Sequence, residues 1–472
     1  MKIDTAILAD GRRVPFITDP IGEGGFKVVY FTQDKQSVVC FFKDQSTAVD
    51  PNRQSRLENI VGRYNPTVEA GKATYFADLF CWPTGIIVKP LFGVMAPAYS
   101  KNFFFAEGKF KGKEKEGKWF SSPKLRKLLP SSERGNWRNY LDMCKLMARG
   151  IRRMHLAGLA HSDLSSRNVL VDPPNGRCAI IDVDSLVVPG TYPPDVLGTP
   201  GYIAPEVMAT QQLAATDANR KLPSNTTDLH ALSVLIYEYL LRRHPLRGPK
   251  IHAQDPGEDD RLAFGSKAVF IEHPTDTSNR PQGLAPSCDH LGPYLKDLVI
   301  KAFVVGLHDP ARRPPAQAWE AALGRTSDLL IPCENPACEE RWYVFLEGQK
   351  PQCPWCGKPP KSALPVLDFH YAPRRGQFVP EKHCIVGYHD RGLYPWHIHS
   401  TARDVEDAPA EVQAKIMQHQ GQWILYNLKL TSLVSPKGNP VPINQACVLR
   451  PGEEVLLSKD EKGKLVSVRM IG

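Results

Sequence analysis

Three polar residues near the middle of the chain have the types and spacing needed to hold a metal ion and accept a proton. Asp163 and Asn168 share one loop before the apolar run NVLV, and Asp182 directly follows the apolar run CAII. If these runs form adjacent strands, their ends bring the three side chains to one place. Oxygen ligands of this kind suit Mg²⁺, and a remaining carboxylate can accept a hydroxyl proton. The set therefore indicates phosphoryl transfer, in which catalysis is mostly positioning and charge stabilisation.

A glycine-rich segment near the start of the chain could lie over the phosphates of a nucleotide. The segment IGEGGFKVVY contains Gly22, Gly24 and Gly25 and continues to Val29, with strand-like runs on both sides. Glycine lets a backbone approach a ligand closely. Lys27 stands where the pattern G-x-G-x-x-G has its last glycine, so the segment taken alone also fits a tight hairpin turn without a ligand.

One lysine near this segment requires an explanation. Lys43 ends the apolar run SVVCFFKD, where a lysine buried alone would be costly. Phosphate oxygens or a carboxylate would satisfy it, and Glu58 is a candidate partner because the segment after Pro51 can form a helix. A surface lysine with a mobile tail is the alternative.

The order of several further motifs resembles the eukaryotic-type protein kinase family. That family carries H-R-D-L-x-x-x-N, D-F-G and A-P-E in this order. The chain has HSDLSSRN at 161–168, DVD at 182–184 and APE at 204–206. The segment 224–241 is similar to the family's central buried helix, and the resemblance covers about residues 1–325.

The resemblance implies roles for individual residues. Asp163 would be the catalytic base, Asn168 and Asp182 would bind Mg²⁺ or Mn²⁺, and Lys43, held by Glu58, would bind the α- and β-phosphates of ATP. The glycine segment would then be a lid over the nucleotide. The residues expected to contact ATP or its metal are Gly22, Gly24, Gly25, Val29, Lys43, Met95, Asn168 and Asp182.

Three further expectations concern the residues that would support this site. Asp228 would anchor the catalytic loop, and Arg313 would pair with Glu206. Thr199 would position the loop that carries the base.

Five positions depart from the family pattern. Lys27 replaces the third glycine of the lid and could add a phosphate contact or point to solvent. Ser162 replaces the arginine of H-R-D, and Val183 and Asp184 replace the phenylalanine and glycine of D-F-G. Ser165 replaces the lysine two residues after Asp163, which removes a contact to the transferred phosphate. Ser162 removes the usual sensor of a phosphate on the activation segment, and Asp184 restricts a hinge that glycine allows. The expected activity is an ATP-dependent serine/threonine protein kinase acting on itself or on partner proteins. A pseudokinase that serves as an ATP-binding regulatory scaffold is the alternative.

Four of the eleven cysteines form a cluster that predicts a closed zinc site. Cys333 and Cys338 make one pair, and Cys353 and Cys356 make the other. Four thiolates on two such turns favour tetrahedral, structural Zn²⁺ in a zinc ribbon. Redox use of the CPWC pair is the alternative.

The C-terminal part shows short strand-like runs between turns, which predict a small β-sandwich. The order W-x-L-x-N and then L-x-P-G-E-x-V-x-L resembles a forkhead-associated domain. The preceding segment LPVLDFHYAPRRGQ is interpreted as a linker. His397 and His399 could be metal ligands, but ordinary half-buried histidines are the simpler interpretation.

The predicted fold is α+β, with a bilobal protein-kinase domain over 1–328 (lobes 1–98 and 99–328), a zinc ribbon over 329–362 and a forkhead-associated-like β-sandwich over 375–472. This organisation resembles bacterial serine/threonine kinases encoded with a von Willebrand factor A-domain protein and a metal-dependent protein phosphatase. These two proteins are therefore expected partners, besides protein substrates.

The composition is that of a globular protein, with 42% hydrophobic and 23% charged residues. We find no signal-peptide pattern and no long apolar segment, and seven cysteines are isolated, so we expect a cytoplasmic protein without membrane contact. The net charge of +9 is concentrated in residues 101–127. The core of this run, at 107–119, is expected to be a mobile solvated loop, or else a docking site for acidic partners. Acidic residues flank the cysteines, so nucleic-acid binding is not expected.

Overall fold

The computed structural model describes residues 2–188, 191–192, 194, 196–214, 216–374, 376–404 and 410–472. The chain divides into two compact units. One contains the residues up to 135 together with 139–284 and 297–320, and the other contains 136–138, 285–296 and 321–472. Both helices and strands are present, as predicted. None of the helices in the described ranges is long and apolar enough to cross a lipid bilayer.

The first unit begins with a seven-stranded antiparallel sheet. Its strands are β1 (Ile3–Leu8), β2 (Arg13–Ile17), β3 (Gly22–Glu23), β4 (Lys27–Phe31), β5 (Ser37–Phe42), β6 (Gly85–Lys89) and β7 (Gly93–Pro97). Their spatial order is β2-β1-β6-β7-β5-β4-β3. The glycine-rich segment forms the β3–β4 hairpin at one edge, where Gly22 pairs with Val29.

The two faces of this sheet pack into separate apolar clusters. Side chains alternate between the faces along a strand. Val39 of β5 packs with Met95 on one face, whereas Phe42 packs with Leu57 on the other. Leu57 belongs to a helix whose start is fixed by Asp50, since the Asp50 side chain accepts hydrogen bonds from two backbone N–H groups of the first turn.

Helices make up most of the remaining first unit, and three of them have residues in both units. The helices are α1 (Gln45–Ala48), α2 (Pro51–Val61), α3 (Ala73–Leu79), α4 (Lys118–Ser121), α5 (Pro123–Arg126), α6 (Trp137–Leu156), α7 (Pro205–Thr210), α8 (Asn225–Leu241), α9 (Pro256–Ala263), α10 (Gly292–Ile300) and α11 (Ala316–Asp328). A two-stranded hairpin of β8 (Val169–Asp172) and β9 (Arg177–Ile180) follows α6. Helix α8 is apolar on nearly its whole circumference and is buried, as predicted for a central helix.

A buried ion pair fixes the segment that follows the APE motif. Arg313 donates two hydrogen bonds to the Glu206 carboxylate, at 2.8 and 2.7 Å. The same guanidinium donates to the backbone carbonyls of Gly306, Leu307 and Thr226. The predicted pairing of Arg313 with Glu206 is therefore confirmed.

The second unit contains three small antiparallel sheets. Strands β10 (Leu330–Pro332) and β11 (Trp342–Val344) form the first. The others have the orders β13-β12-β19-β18 and β14-β15-β16-β17. Their strands are β12 (Leu364–Arg374), β13 (Gln377–Val386), β14 (Arg391–Leu393), β15 (Ala414–His419), β16 (Gln422–Asn427), β17 (Ala446–Val448), β18 (Glu454–Leu456) and β19 (Leu465–Ile471), with helix α12 (Pro395–Ile398) between β14 and β15.

The prediction of a linker at LPVLDFHYAPRRGQ is wrong. This segment is the 11-residue strand β12, which pairs with β13 on one side and β19 on the other. Its apolar side chains, Val366, Leu367 and Phe369 among them, are buried, and this burial outweighs the turn-forming residues at its end. The sheets therefore begin at Leu364 and not at residue 375, which itself lies outside the described residues.

The prediction of a solvated loop at 107–119 is wrong for its second half. Residues 107–109 and 111–114 are exposed, but Lys115 is buried and forms an ion pair with Glu133. The backbone carbonyl of Lys115 also accepts a hydrogen bond from Val171 N, at 2.9 Å. The run therefore attaches to β8 instead of extending into solvent.

We expect Arg313→Ala to lower the free energy of unfolding of the first unit by about 3 kcal/mol or more, because it leaves a half-buried carboxylate without its partner. The matched control is Arg177→Ala, whose side chain is 63% exposed and lies 4.0 Å from Asp78, and which should cost less than about 1 kcal/mol. Urea denaturation measures both. Equal losses in the two variants would contradict this assignment.

Candidate active site

The β8–β9 hairpin brings together the three polar residues that the sequence singled out. Ile181 N donates to Asn168 O at 3.0 Å, so Asn168 and Asp182 stand at adjacent ends of the two strands. Asn168 Nδ2 donates to Asp163 Oδ2 at 3.0 Å and to the Asp163 backbone carbonyl at 2.8 Å. Asp163 and Asn168 are therefore in contact, and the backbone places Asp182 at the adjacent strand end.

The Asp163 carboxylate is held at both of its oxygens. Thr199 Oγ1 donates to Oδ1 at 2.7 Å, opposite the bond from Asn168 to Oδ2. The expectation that Thr199 positions this loop is confirmed. A carboxylate fixed in this way has its rotamer set before any substrate arrives, which is a requirement for a general base.

A buried carboxylate in α8 anchors the loop that carries Asp163. Asp228 accepts hydrogen bonds from the backbone N–H groups of His161, at 2.7 Å, and Ser162, at 3.2 Å. Ser162 has φ of 64°, in the left-handed region that few residues other than glycine adopt. His161 Nε2 lies 2.9 Å from Ile181 O and connects the loop to β9. The anchoring role expected for Asp228 is confirmed.

In the β3–β4 hairpin, neither the backbone conformation nor contact with the described residues requires glycine. Gly22, Gly24 and Gly25 are exposed, and none of them has a positive φ. A Cβ atom added at these positions meets nothing closer than 3.9 Å. Close approach of a ligand backbone or phosphate group remains the physical reason for small residues here, and the site therefore fits a nucleotide.

Lys27, at the start of β4, reaches the end of β9. Its Nζ lies 2.9 Å from Asp182 Oδ1 and 2.7 and 2.8 Å from the two oxygens of Asp184. The Lys27 side chain is 20% exposed and that of Asp184 only 9%. Both residues stand at positions where the family pattern has glycine, and the contact between them is not predicted from the sequence.

These charges act on one another. Burial alone would lower the pKa of Lys27, but the carboxylates of Asp184 and Asp182 raise it well above its ordinary value. Burial would raise the pKa of Asp182, and Lys27 lowers it overall. Lys27 and Asp182 therefore favour their charged forms near neutral pH.

The predicted pair of Lys43 and Glu58 is not present. Lys43 Nζ lies 2.6 Å from Glu23, and both side chains are substantially exposed, at 37% and 67%. Glu58 is exposed, because the apolar residues of α2 that face the sheet are its neighbours in the helix, Leu57 among them. Instead, Ser55 and Asn59 of this helix contact the hydroxyl of Tyr192.

The orientation of the Met95 side chain also disagrees with the prediction that Met95 contacts the nucleotide. Met95 packs with Val39 on the face of the sheet away from α2. Val29, by contrast, packs on the α2 face with Phe42. The strand alternation thus turns Met95 away from the face that carries the other site residues.

The four clustered cysteines lie together in the second unit. Their Sγ atoms are all within 4.8 Å of one another, and the Cys333–Cys356 and Cys338–Cys353 separations are 3.5 and 3.8 Å. A tetrahedral site with Zn–S bonds of about 2.3 Å requires sulfur atoms about 3.8 Å apart. The donor set and its spacing therefore fit Zn²⁺.

His397 is not placed as a metal ligand. It is buried and lies 3.2 Å from Asp328, whose carboxylate also contacts Arg391 and His383. Of the two interpretations, an ordinary histidine inside the fold agrees better with this environment than a metal ligand does. His397 is, however, fully buried and not half-buried.

Comparison with known proteins identifies the first of these sites. Residues 122–309 match the protein kinase domain family. Serine/threonine-protein kinase SRK2D of Arabidopsis thaliana is 23% identical over 319 residues, which is 66% of this chain and 71% of that protein. PknA of Mycobacterium tuberculosis is 33% identical over 235 residues, or 45% and 47% of the two chains. Pkn3 of Myxococcus xanthus is 26% identical over 181 residues, or 36% and 28%. The chain carries a protein kinase domain of the serine/threonine kind, and spans about half the length of PknA.

One partly buried carboxylate near Thr199 should make stability depend on pH. Tyr202, whose N–H is bonded to Thr199 O, donates its hydroxyl to Glu238 in α8. Burial raises the pKa of Glu238 to about 7, although the Tyr202 bond offsets part of the effect. The unfolded chain therefore releases this proton first, and stability is lost as pH rises from about 4.5 to 7.

We expect Glu238→Gln to remove this loss, since an amide keeps a hydrogen bond with Tyr202 and cannot ionise. The gain in unfolding free energy should be about 1–3 kcal/mol at pH 8 and close to zero at pH 4. Denaturation at both pH values measures it, with Glu461→Gln, 78% exposed, as the control. A gain of the same size at both pH values would be inconsistent with the mechanism.

Proposed function

We propose that this kinase transfers the γ-phosphoryl group of ATP to serine or threonine hydroxyls, on itself or on partner proteins in a signalling system. The observation that carries the proposal is the fixed Asp163 carboxylate beside Asn168 and Asp182. Asp163 is the proposed base. The acceptor hydroxyl gives its proton to Asp163, its oxygen bonds to the γ-phosphorus, and the bond to the bridging oxygen breaks to release ADP.

Asn168 and Asp182 are the residues proposed to hold Mg²⁺ or Mn²⁺. Asn168 donates to Asp163 with its amide nitrogen, so its amide oxygen is the atom left for a cation. Bound there, the cation would neutralise charge on the phosphates. The glycines of the β3–β4 hairpin are proposed to lie over those phosphates, and their lack of contacts within the protein supports this.

A scaffold that binds ATP without transferring phosphate is the second candidate. The contact of Lys27 with Asp182 favours it, because an ammonium group occupies an oxygen of a proposed metal ligand. Phosphate transfer by purified protein separates the two functions.

We expect wild-type protein to label itself or a generic serine/threonine substrate from radiolabelled ATP with Mg²⁺ or Mn²⁺. Asp163→Asn should reduce transfer by about 100-fold or more, as loss of a general base does, and leave ATP binding within about twofold. Asp78→Asn, at a 70% exposed side chain, is the control. If wild-type protein binds ATP but labels nothing, the scaffold function replaces the kinase function.

We also propose that the cysteine cluster holds one structural Zn²⁺. Four protein ligands leave no open coordination position, so the ion would stabilise the β10–β11 region and take no part in transfer. The sulfur separations in this cluster support the proposal.

Purified protein should contain about one zinc per chain by elemental analysis, as a four-thiolate site requires. Cys353→Ser should lose the metal and increase hydrogen exchange in residues 331–360, with ATP affinity unchanged. Cys384→Ser, outside the cluster, should retain the metal. Metal-free protein with undiminished protection of this segment would show that the thiols need no ion.

The two four-stranded sheets of the second unit are compatible with the predicted forkhead-associated-like domain. We propose that this domain mediates contact with partners, with the von Willebrand factor A-domain protein and the metal-dependent phosphatase as candidates. Action in the cytoplasm is part of the same proposal.

A further inference from the structure

We propose that Lys27, and not Lys43, is the lysine that binds the nucleotide phosphates, and that Asp184 is the residue that positions it. The inference rests on the proposed kinase function, since it names a further residue of the same site. It assigns one purpose to the two charged residues, Lys27 and Asp184, that replace glycines of the family pattern.

Strand register decides which lysine can reach the site. Lys27 lies directly opposite Phe42 in the β4–β5 ladder, and opposite residues share one face of a sheet. That face carries Val29, packs against α2 and includes Phe42 itself. A phosphate-binding lysine on β5 would therefore have to be at position 42. That residue is Phe42.

Alternation excludes the neighbouring lysine. Because Phe42 faces α2, the next residue along the chain, Lys43, turns away from that face. Its ammonium group lies on the Glu23 carboxylate, with 37% of the side chain exposed. Lys27 supplies a positive charge to the same face from the adjacent strand, directly opposite the position from which β5 would have supplied it.

The contacts of Lys27 are those required of a phosphate-binding lysine. Its Nζ touches Asp182, the proposed metal ligand, so it stands at the edge of the space that a metal-bound phosphate would fill. Two further bonds to Asp184 hold it there. Only one of the three bonds goes to Asp182. Lys27 can therefore replace that bond by one to a phosphate oxygen and keep its two bonds to Asp184.

Asp184 has the properties of a dedicated partner. Its side chain is 9% exposed, and a carboxylate buried to that extent is costly unless it is paired. Among the described residues, Lys27 is the cation bonded to both of its oxygens. The helix carboxylate that the family would offer, Glu58, is exposed. Asp184 thus takes the role of that carboxylate as the partner of the lysine.

Nucleotide binding tests the inference without requiring catalysis. The probes are ADP with Mg²⁺, which carries phosphates, and adenosine, which does not, both measured by titration calorimetry. Lys27→Met should weaken ADP binding about tenfold or more, as loss of a charge-assisted bond does, and change adenosine binding less than twofold. Lys43→Met should leave both affinities unchanged.

Four further variants separate positioning from folding. Lys27→Gly combined with Phe42→Lys returns the lysine to β5 and should recover most of the ADP affinity lost in Lys27→Gly. Asp184→Asn should weaken ADP binding, whereas Asp184→Glu should restore it because it keeps the carboxylate. Unchanged adenosine binding in each variant shows that the site is folded.

Loss of ADP affinity in Lys43→Met, with Lys27→Met unaffected, would overturn the inference. Equal weakening of ADP and adenosine by Lys27→Met would also overturn it, because the lysine would then only close the hairpin over the site. If the predicted contrast appears in protein that transfers no phosphate, the kinase function fails and the assignment of Lys27 stands.

Discussion

The candidate active site depends on one interaction, the ion pairing of the Lys27 ammonium group with the carboxylates of Asp182 and Asp184. It joins the β3–β4 hairpin to the end of β9, two segments more than 150 residues apart in the sequence. Without the ammonium group, two adjacent carboxylates would repel one another in a partly buried place, and the cost would be high. With it, the hairpin is held over the ends of β8 and β9.

The scaffold around this ion pair consists of strand ends and buried charges. The β8–β9 hairpin fixes the spacing of Asn168 and Asp182, and Asp228 in the central helix holds the strained backbone at Ser162. The pair of Arg313 with Glu206 fixes the segment after the APE motif. Each contact places a loop by hydrogen bonds to a rigid helix or strand, which is how a site gains the precision that catalysis requires.

The sequence predicted those parts of the site in which one residue type at one spacing determines the contact. The juxtaposition of Asp163 with Asn168 and the Arg313–Glu206 pair are examples. The sequence predicts a phosphate lysine at position 43 because Lys43 ends an apolar run where a lone lysine needs a partner. Strand pairing instead places Phe42 opposite Lys27, on the face of the sheet that carries Val29. The linker predicted at β12 failed for a related reason, because local turn residues were weighed above pairing with β13 and β19, which distant sequence supplies.

A crystal structure of the protein with ADP and Mg²⁺ tests the assignment of Lys27 most directly. The account predicts Lys27 Nζ within about 3 Å of a phosphate oxygen and still bonded to Asp184, with Lys43 remaining on Glu23. A phosphate oxygen bonded to Lys43, with Lys27 turned into solvent, would contradict it.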